Sequence, residues 1–234
     1  MRTENPKLVA RLAGVFFLLV IVNGIIAQGF ISERLIDFGD AAATASNILA
    51  NKGLFQIAFT IYLIEMACQL ITVMLMYRLL KPVSRNLALM MLLFESAGIV
   101  IKTFARVLYI TPLFVLDGGT ALSGMNSAQL ESVSLILLKA NDLGAATAIA
   151  FFGFSTFLDG YLVFRSTFLP RWLGVLSMIS SLGWLAFLYP PLGYSVFMFA
   201  ALFGLLSAAA KIFWLIVFGV DEERFRAVEA EAVS

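Results

Sequence analysis

Glu95, Lys102 and Arg106 all lie inside a single apolar run, 87–116. A carboxylate and two cations are ordinary tools for moving a proton or holding a polar ligand, and their spacing puts them on one line. At about 100° per residue, offsets of seven and eleven bring the three side chains back to within roughly 40° of one another. Ionisable groups at membrane depth are costly and face a bundle interior or a watery cavity. The stripe therefore marks where function is to be sought, without naming a reaction or a ligand.

The charges that could answer this stripe lie in other apolar runs. Counted at about 1.5 Å per residue, Glu95 lies about 12 Å into its span, and Glu65 lies at a similar depth in the preceding one. A tight turn joins those spans, so a meeting of Glu65 and Glu95 is expected, with a shared proton, a cation or Lys102 relieving the repulsion. The plain alternative is that each carboxylate satisfies polar neighbours such as Gln69, Asn23 or Tyr62. Lys102 and Arg106, four apart, repel on one helix and call for an acidic or anionic partner. Asp142 has the depth to pair with Arg106. Lys102, about 22 Å into its span, either holds a glutamate as part of the scaffold or opens on an anionic headgroup or substrate carboxylate. Glu65, Glu95, Lys102, Arg106 and Asp142 are thus the candidate ligand-binding residues. Asp159 and Lys211 share the depth of the opposite leaflet, and an ion pair between them is expected.

Composition says which solvent these residues meet. The chain is 61% hydrophobic and 13% charged, about half the charge of a soluble domain, with mean hydropathy +0.96. A net charge of +1 offers no basic surface that would release phosphate counterions, which excludes a nucleic-acid partner. With no histidine and a single cysteine, Cys68, a histidine-based zinc site, a haem ligand, a catalytic triad and an intramolecular disulfide are all excluded. No phosphate-binding glycine loop, activated nucleophile or metal motif stands out. No cofactor is expected.

Six segments are long enough to cross a hydrocarbon core of about 30 Å: 8–30, 54–80, 87–116, 143–164, 172–188 and 194–219. The first is too long for a cleaved signal and reads as a retained anchor. Short surface helices are expected at 41–51, behind the N-cap Asp40, and at 127–139, both on the outer side. Pro82 and Pro170 mark the sharp connections. Basic residues gather at the N-terminal end (Arg2, Lys7, Arg11), the second connection (Arg78, Lys81, Arg85) and the fourth (Arg165, Arg171), which predicts cytoplasmic termini. Ala200, Gly204 and Ala208 repeat at the spacing of close helix packing. The tail 221–234 reads as a short helix or a loose end. Together these define an all-α, six-span membrane bundle forming a single domain, 1–234.

The chain resembles the bacterial domain of unknown function family 4386, small polytopic membrane proteins. The likeness rests on the run Ala10 to Val15 entering span one, Gly39 to Ala45 with Asn47, Ile48 and Leu49, and Leu79 to Ala88 around Pro82. It continues through Phe151, Phe152 and Gly153, Gly160, Tyr161 and Leu162, to Phe168 through Val175 around Pro170. Members of that family often carry a histidine in the fourth span or just before its aspartate, where this chain has Ser155 and Asn141. The resemblance implies an architecture and a location, the bacterial cytoplasmic membrane, but no activity. Three readings stay open. The first is a binding or transport module for a small or lipid-like ligand, the second an intramembrane enzyme acting on a lipid or isoprenoid, the third a structural or regulatory protein. Membrane lipids are the expected partners, and an oligomer is compatible with each reading.

Overall fold

The computed structural model describes residues 5–118 and 122–232, and among these every regular element is helical. Six stretches are long and apolar enough to cross a membrane: Pro6–Leu35, Lys52–Leu80, Arg85–Leu116, Ser127–Arg165, Arg171–Leu188 and Pro190–Val217. They correspond one for one to the six expected spans. The protein is a multi-pass, all-α membrane protein.

Local chemistry sets the ends of these elements. The first span is α1 (Pro6–Gly24), continued by a π-helical segment, Ile25–Ser32, and a last turn, Glu33–Leu35. Helix α2 (Ala41–Ala50) starts where the Asp40 carboxylate accepts from the Ala43 amide at 2.9 Å, an N-cap that satisfies an otherwise orphaned donor. Helix α3 (Lys52–Leu80) leads through the Pro82 turn to α4 (Arg85–Ile110), and a short α5 (Pro112–Leu116) follows. Pro112 lacks the amide that would continue α4. Helix α6 runs unbroken from Ser127 to Arg165. Its start is a reciprocal capping box: the Asn126 amide donates to Gln129 Oε1 and the Gln129 amide to Asn126 Oδ1.

That continuous helix corrects one expectation, because 127–139 is the first part of span four and not a separate surface helix. Lys139, Asn141 and Asp142 are polar but none is a breaker, so polarity alone did not end the helix. Helix α7 (Arg171–Leu185) ends in a 3₁₀ turn, Ala186–Leu188, before α8 (Pro190–Val217). The tail forms α9 (Glu222–Glu231), capped by Asp221 and held by Phe225, which is buried edge-on against Phe168 at 5.1 Å.

Two compact units are present. The first comprises 1–19, 68–99 and 146–234. In it α6 and α7 cross at two glycines: a Cβ added at Gly174 would lie 2.5 Å from the Gly160 carbonyl oxygen, so neither position admits a side chain. Ala200, from the small-residue repeat of α8, packs against Gly183. Asp159 and Lys211, both buried, form the expected ion pair. Ser155 donates to the Met91 carbonyl at 3.0 Å, and Gln69 Nε2 donates to Glu95 Oε1 at 2.6 Å.

The second unit comprises 20–67 and 100–145. Its apolar core includes Ala27, Ile31, Phe55, Ala58, Leu113 and Leu138, with Tyr62 and Tyr109 buried among them. This unit holds most of the candidate polar residues.

Candidate functional site

Helical periodicity aims four elements of the second unit at one place. Helix α3 contributes Tyr62 and Glu65, three apart; α4 contributes Lys102, Arg106 and Tyr109, at offsets of four and seven. The first part of α6 contributes Asn141, with Ser134 two turns earlier on the same helix face. Residues at these spacings share a helix face. The π-helical segment contributes Gln28 and Ser32. Five residues per turn re-aim side chains that an α-helix would spread differently, and such segments are frequent at functional sites.

The repulsion between Lys102 and Arg106 is resolved by giving each its own partner. Lys102 Nζ lies 2.7 Å from Glu65 Oε1, in an ion pair largely shielded from solvent. This is the carboxylate that the scaffold reading of Lys102 requires. The guanidinium of Arg106 lies flat over the Tyr62 ring, 3.6 Å from its centroid, and Nη1 donates to Asn141 Oδ1 at 3.0 Å. Stacking on an aromatic face suits arginine, whose charge is delocalised and weakly hydrated.

Beyond the charges runs a chain of hydroxyls whose polarity follows from counting protons. The Tyr62 hydroxyl donates to Gln28 Oε1 at 2.7 Å. Its single hydrogen is then used, so in its 3.0 Å bond to Ser32 the serine must be the donor. The serine hydrogen is used in turn, so Tyr109, also 3.0 Å from Ser32 Oγ, donates to it. The sequence Tyr109, Ser32, Tyr62, Gln28 is a directed relay with every donor committed. Phe55 stacks on Tyr109 at 4.3 Å and fixes its ring.

Beside this closed network stand three open valences. Glu65 Oε2, Arg106 Nε and Ser134 Oγ are buried and have no hydrogen-bond partner; their residues are only 5%, 3% and 1% exposed. A buried polar group left unpaired costs about 1–3 kcal/mol, more when charged, so such atoms ask for a further molecule. A Cβ built on Gly24 would stand in ordinary contact with the Glu65 carboxyl group, 3.5 Å from Oε1, the oxygen that Lys102 holds.

The stripe read from the sequence is thus divided. Lys102 and Arg106 lie in the second unit with Glu65, whereas Glu95 lies in the first, where Gln69 donates to it. The two glutamates have each found a partner within their own unit. Asp142 is partly buried, and its neighbour Asn141 accepts from Arg106. Gln28, Ser32, Tyr109, Ser134 and Asn141 are participants that sequence reasoning missed. Tyr109 and Asn141 carried a signal in their offsets from Arg106 and Ser134. Gln28 and Ser32 carried none, because α-helical periodicity does not foretell a π-helical segment. Among the described residues no group of three or more cysteine, aspartate or glutamate side chains is placed to hold a metal.

No solved structure matches the chain. A protein of Archaeoglobus fulgidus described as "Uncharacterized protein" is 31% identical over 147 residues, covering 62% of this chain and 72% of its own. An archaeal relative places the resemblance beyond bacteria. The sequence profile described as "Domain of unknown function (DUF4386)" matches residues 12–219. With six apolar helical spans and a match over nearly its whole length, this chain belongs to the DUF4386 family.

Proposed function

We propose that this protein binds a small or lipid-like ligand within its second unit, as an intramembrane receptor or carrier, with the ligand's polar group seated between Glu65 and Arg106. One observation carries the reading: two buried side chains of opposite charge, each already holding a partner, each keep one unpartnered polar atom in the same cluster. A cluster that served only to register helices gains nothing from such vacancies, since replacing buried polar groups by packed apolar ones is often neutral or stabilising. The π-helical segment supports the same reading.

Lys102 is the anchor of Glu65 in this account, and Arg106 with Glu65 forms the binding pair. Glu95 and Asp142 stand outside it. The setting is the cytoplasmic membrane with both termini inside, for which the basic second and fourth connections speak. Cysteines placed at Ser84 and Asn126 in a Cys68→Ser background test that topology. An impermeant thiol reagent is expected to reach only Asn126→Cys from outside, and the opposite pattern overturns the orientation.

Gly24→Leu tests the site itself. Leucine propagates a helix better than glycine by about 1 kcal/mol, so the fold is retained, while its side chain stands against the Glu65 carboxyl. Native mass spectrometry of protein extracted from its own membrane is expected to show a bound small molecule on the unaltered chain and none on Gly24→Leu. Identical spectra from two well-folded proteins would contradict the assignment.

A further inference from the structure

We infer that the group received by this site is a hydroxyl carried on an apolar, lipid-soluble body, that is, a long-chain alcohol and not an ionised amphiphile. The inference rests on the reading that the Glu65–Arg106 cluster is a ligand site, and it names the ligand's chemistry.

The open valences are of opposite kinds. Glu65 Oε2 is an acceptor that needs a donor, and Arg106 Nε–H is a donor that needs an acceptor. A hydroxyl is the smallest group that answers both, giving its hydrogen to the carboxylate and accepting the guanidinium N–H on its oxygen. Both atoms belong to one cluster: Lys102, one turn from Arg106 on the same helix face, holds Glu65 at 2.7 Å, and Tyr62, one turn from Glu65, carries the Arg106 guanidinium.

Charge argues against the ionised alternatives. A ligand carboxylate would bring a second negative charge against Glu65 Oε2. An ammonium has no lone pair for Arg106 Nε–H and would add a third cation beside Lys102 and Arg106. A carboxylate also has no hydrogen to give Oε2, and an ammonium raises the net charge of a site between membrane-spanning helices, where charge is costly to desolvate. A carboxamide is neutral but carries a second N–H, which would need another acceptor. The body of the ligand is expected to be apolar because the core that Tyr62 shares with Ala27, Ile31, Phe55, Ala58, Leu113 and Leu138 is apolar.

Three photoreactive probes with one diazirine-bearing sixteen-carbon chain separate the cases: hexadecanol, hexadecanoate and hexadecylamine, each added to the full chain in detergent. The alcohol is expected to label peptides from 20–67 and 100–145 at least about tenfold more than either ion, the ratio that hydrogen bonds to charged groups supply. Gly24→Leu is expected to lose that labelling while melting no lower than the unaltered chain. The comparison of probes on the unaltered chain needs no variant, so a misfolded mutant leaves it decisive. If the carboxylate or the amine labels this unit as well as the alcohol does, and Gly24→Leu abolishes the labelling, the alcohol chemistry is wrong while the ligand site stands. If no probe labels the second unit above the level found in the first, the alcohol inference and the site reading fall together.

Discussion

Each unit of this protein buries one lysine–carboxylate pair, and the two pairs are finished differently. Asp159 and Lys211 are closed in the first unit, with neither side chain among those left holding an unpartnered buried atom. Glu65 and Lys102 make an equally direct contact in the second unit, yet Glu65 retains a bare oxygen and Arg106, one turn from Lys102, retains a bare N–H. The first pair is complete as a structural tie. The second is half of an arrangement whose other half is absent from the chain. A close carboxylate partner is common to the two lysines, so pairing alone does not separate scaffold from site. The unpartnered buried atoms beside the second pair do.

Mutation sharpens that comparison most strongly at the closed pair. Asp159→Asn or Lys211→Met alone leaves an uncompensated buried charge and is expected to cost about 3–5 kcal/mol. The double variant is expected to recover most of this loss, because no charge then remains unpaired. A double-mutant cycle by denaturant unfolding in detergent checks it, and purely additive losses would show that the two residues are not coupled.

At the open pair the same operation is milder. Lys102→Met is expected to cost about 2 kcal/mol, below the first unit's figure, because Lys102 is less deeply buried than Lys211. A loss as large as that of Lys211→Met would erase the distinction between the two pairs.

The hydroxyl relay gives a smaller and directional effect. Tyr62→Phe removes the middle of the chain, stranding the Ser32 donor and the Gln28 acceptor, and is expected to cost about 1–3 kcal/mol. Tyr109→Phe removes only the first donor and is expected to cost about 1 kcal/mol or less. Equal losses in thermal melting would contradict the donor order. Smallest of all is the exposed pair Lys52–Asp117, where Lys52→Ala is expected to change stability by at most about 1 kcal/mol, less at high salt.

How much of this was legible in the sequence follows from the physics of each signal. Span positions were legible because hydrocarbon thickness fixes both length and composition. The Asp159–Lys211 pair was legible because two opposite charges at one depth have few other partners. Asp40 was legible as a helix start, since capping is local chemistry. The continuity of α6 through Asn141 and Asp142 was hidden, because polar residues lower apolar periodicity without breaking a helix. The separation of Glu95 from Lys102 was hidden for another reason: angular alignment along one helix does not say which neighbour each turn meets. Gln28 and Ser32 were hidden because their register depends on five-residue turns.

The central claim is that Glu65 Oε2 and Arg106 Nε are completed by a molecule from outside the chain. A high-resolution density map of the protein extracted from its own membrane tests this directly. The account predicts a feature larger than one water within hydrogen-bond distance of both atoms, extending as an apolar body among the helices of the second unit. A single bridging water or an empty site would contradict it, and the cluster would then stand as a tie between helices like Asp159 and Lys211.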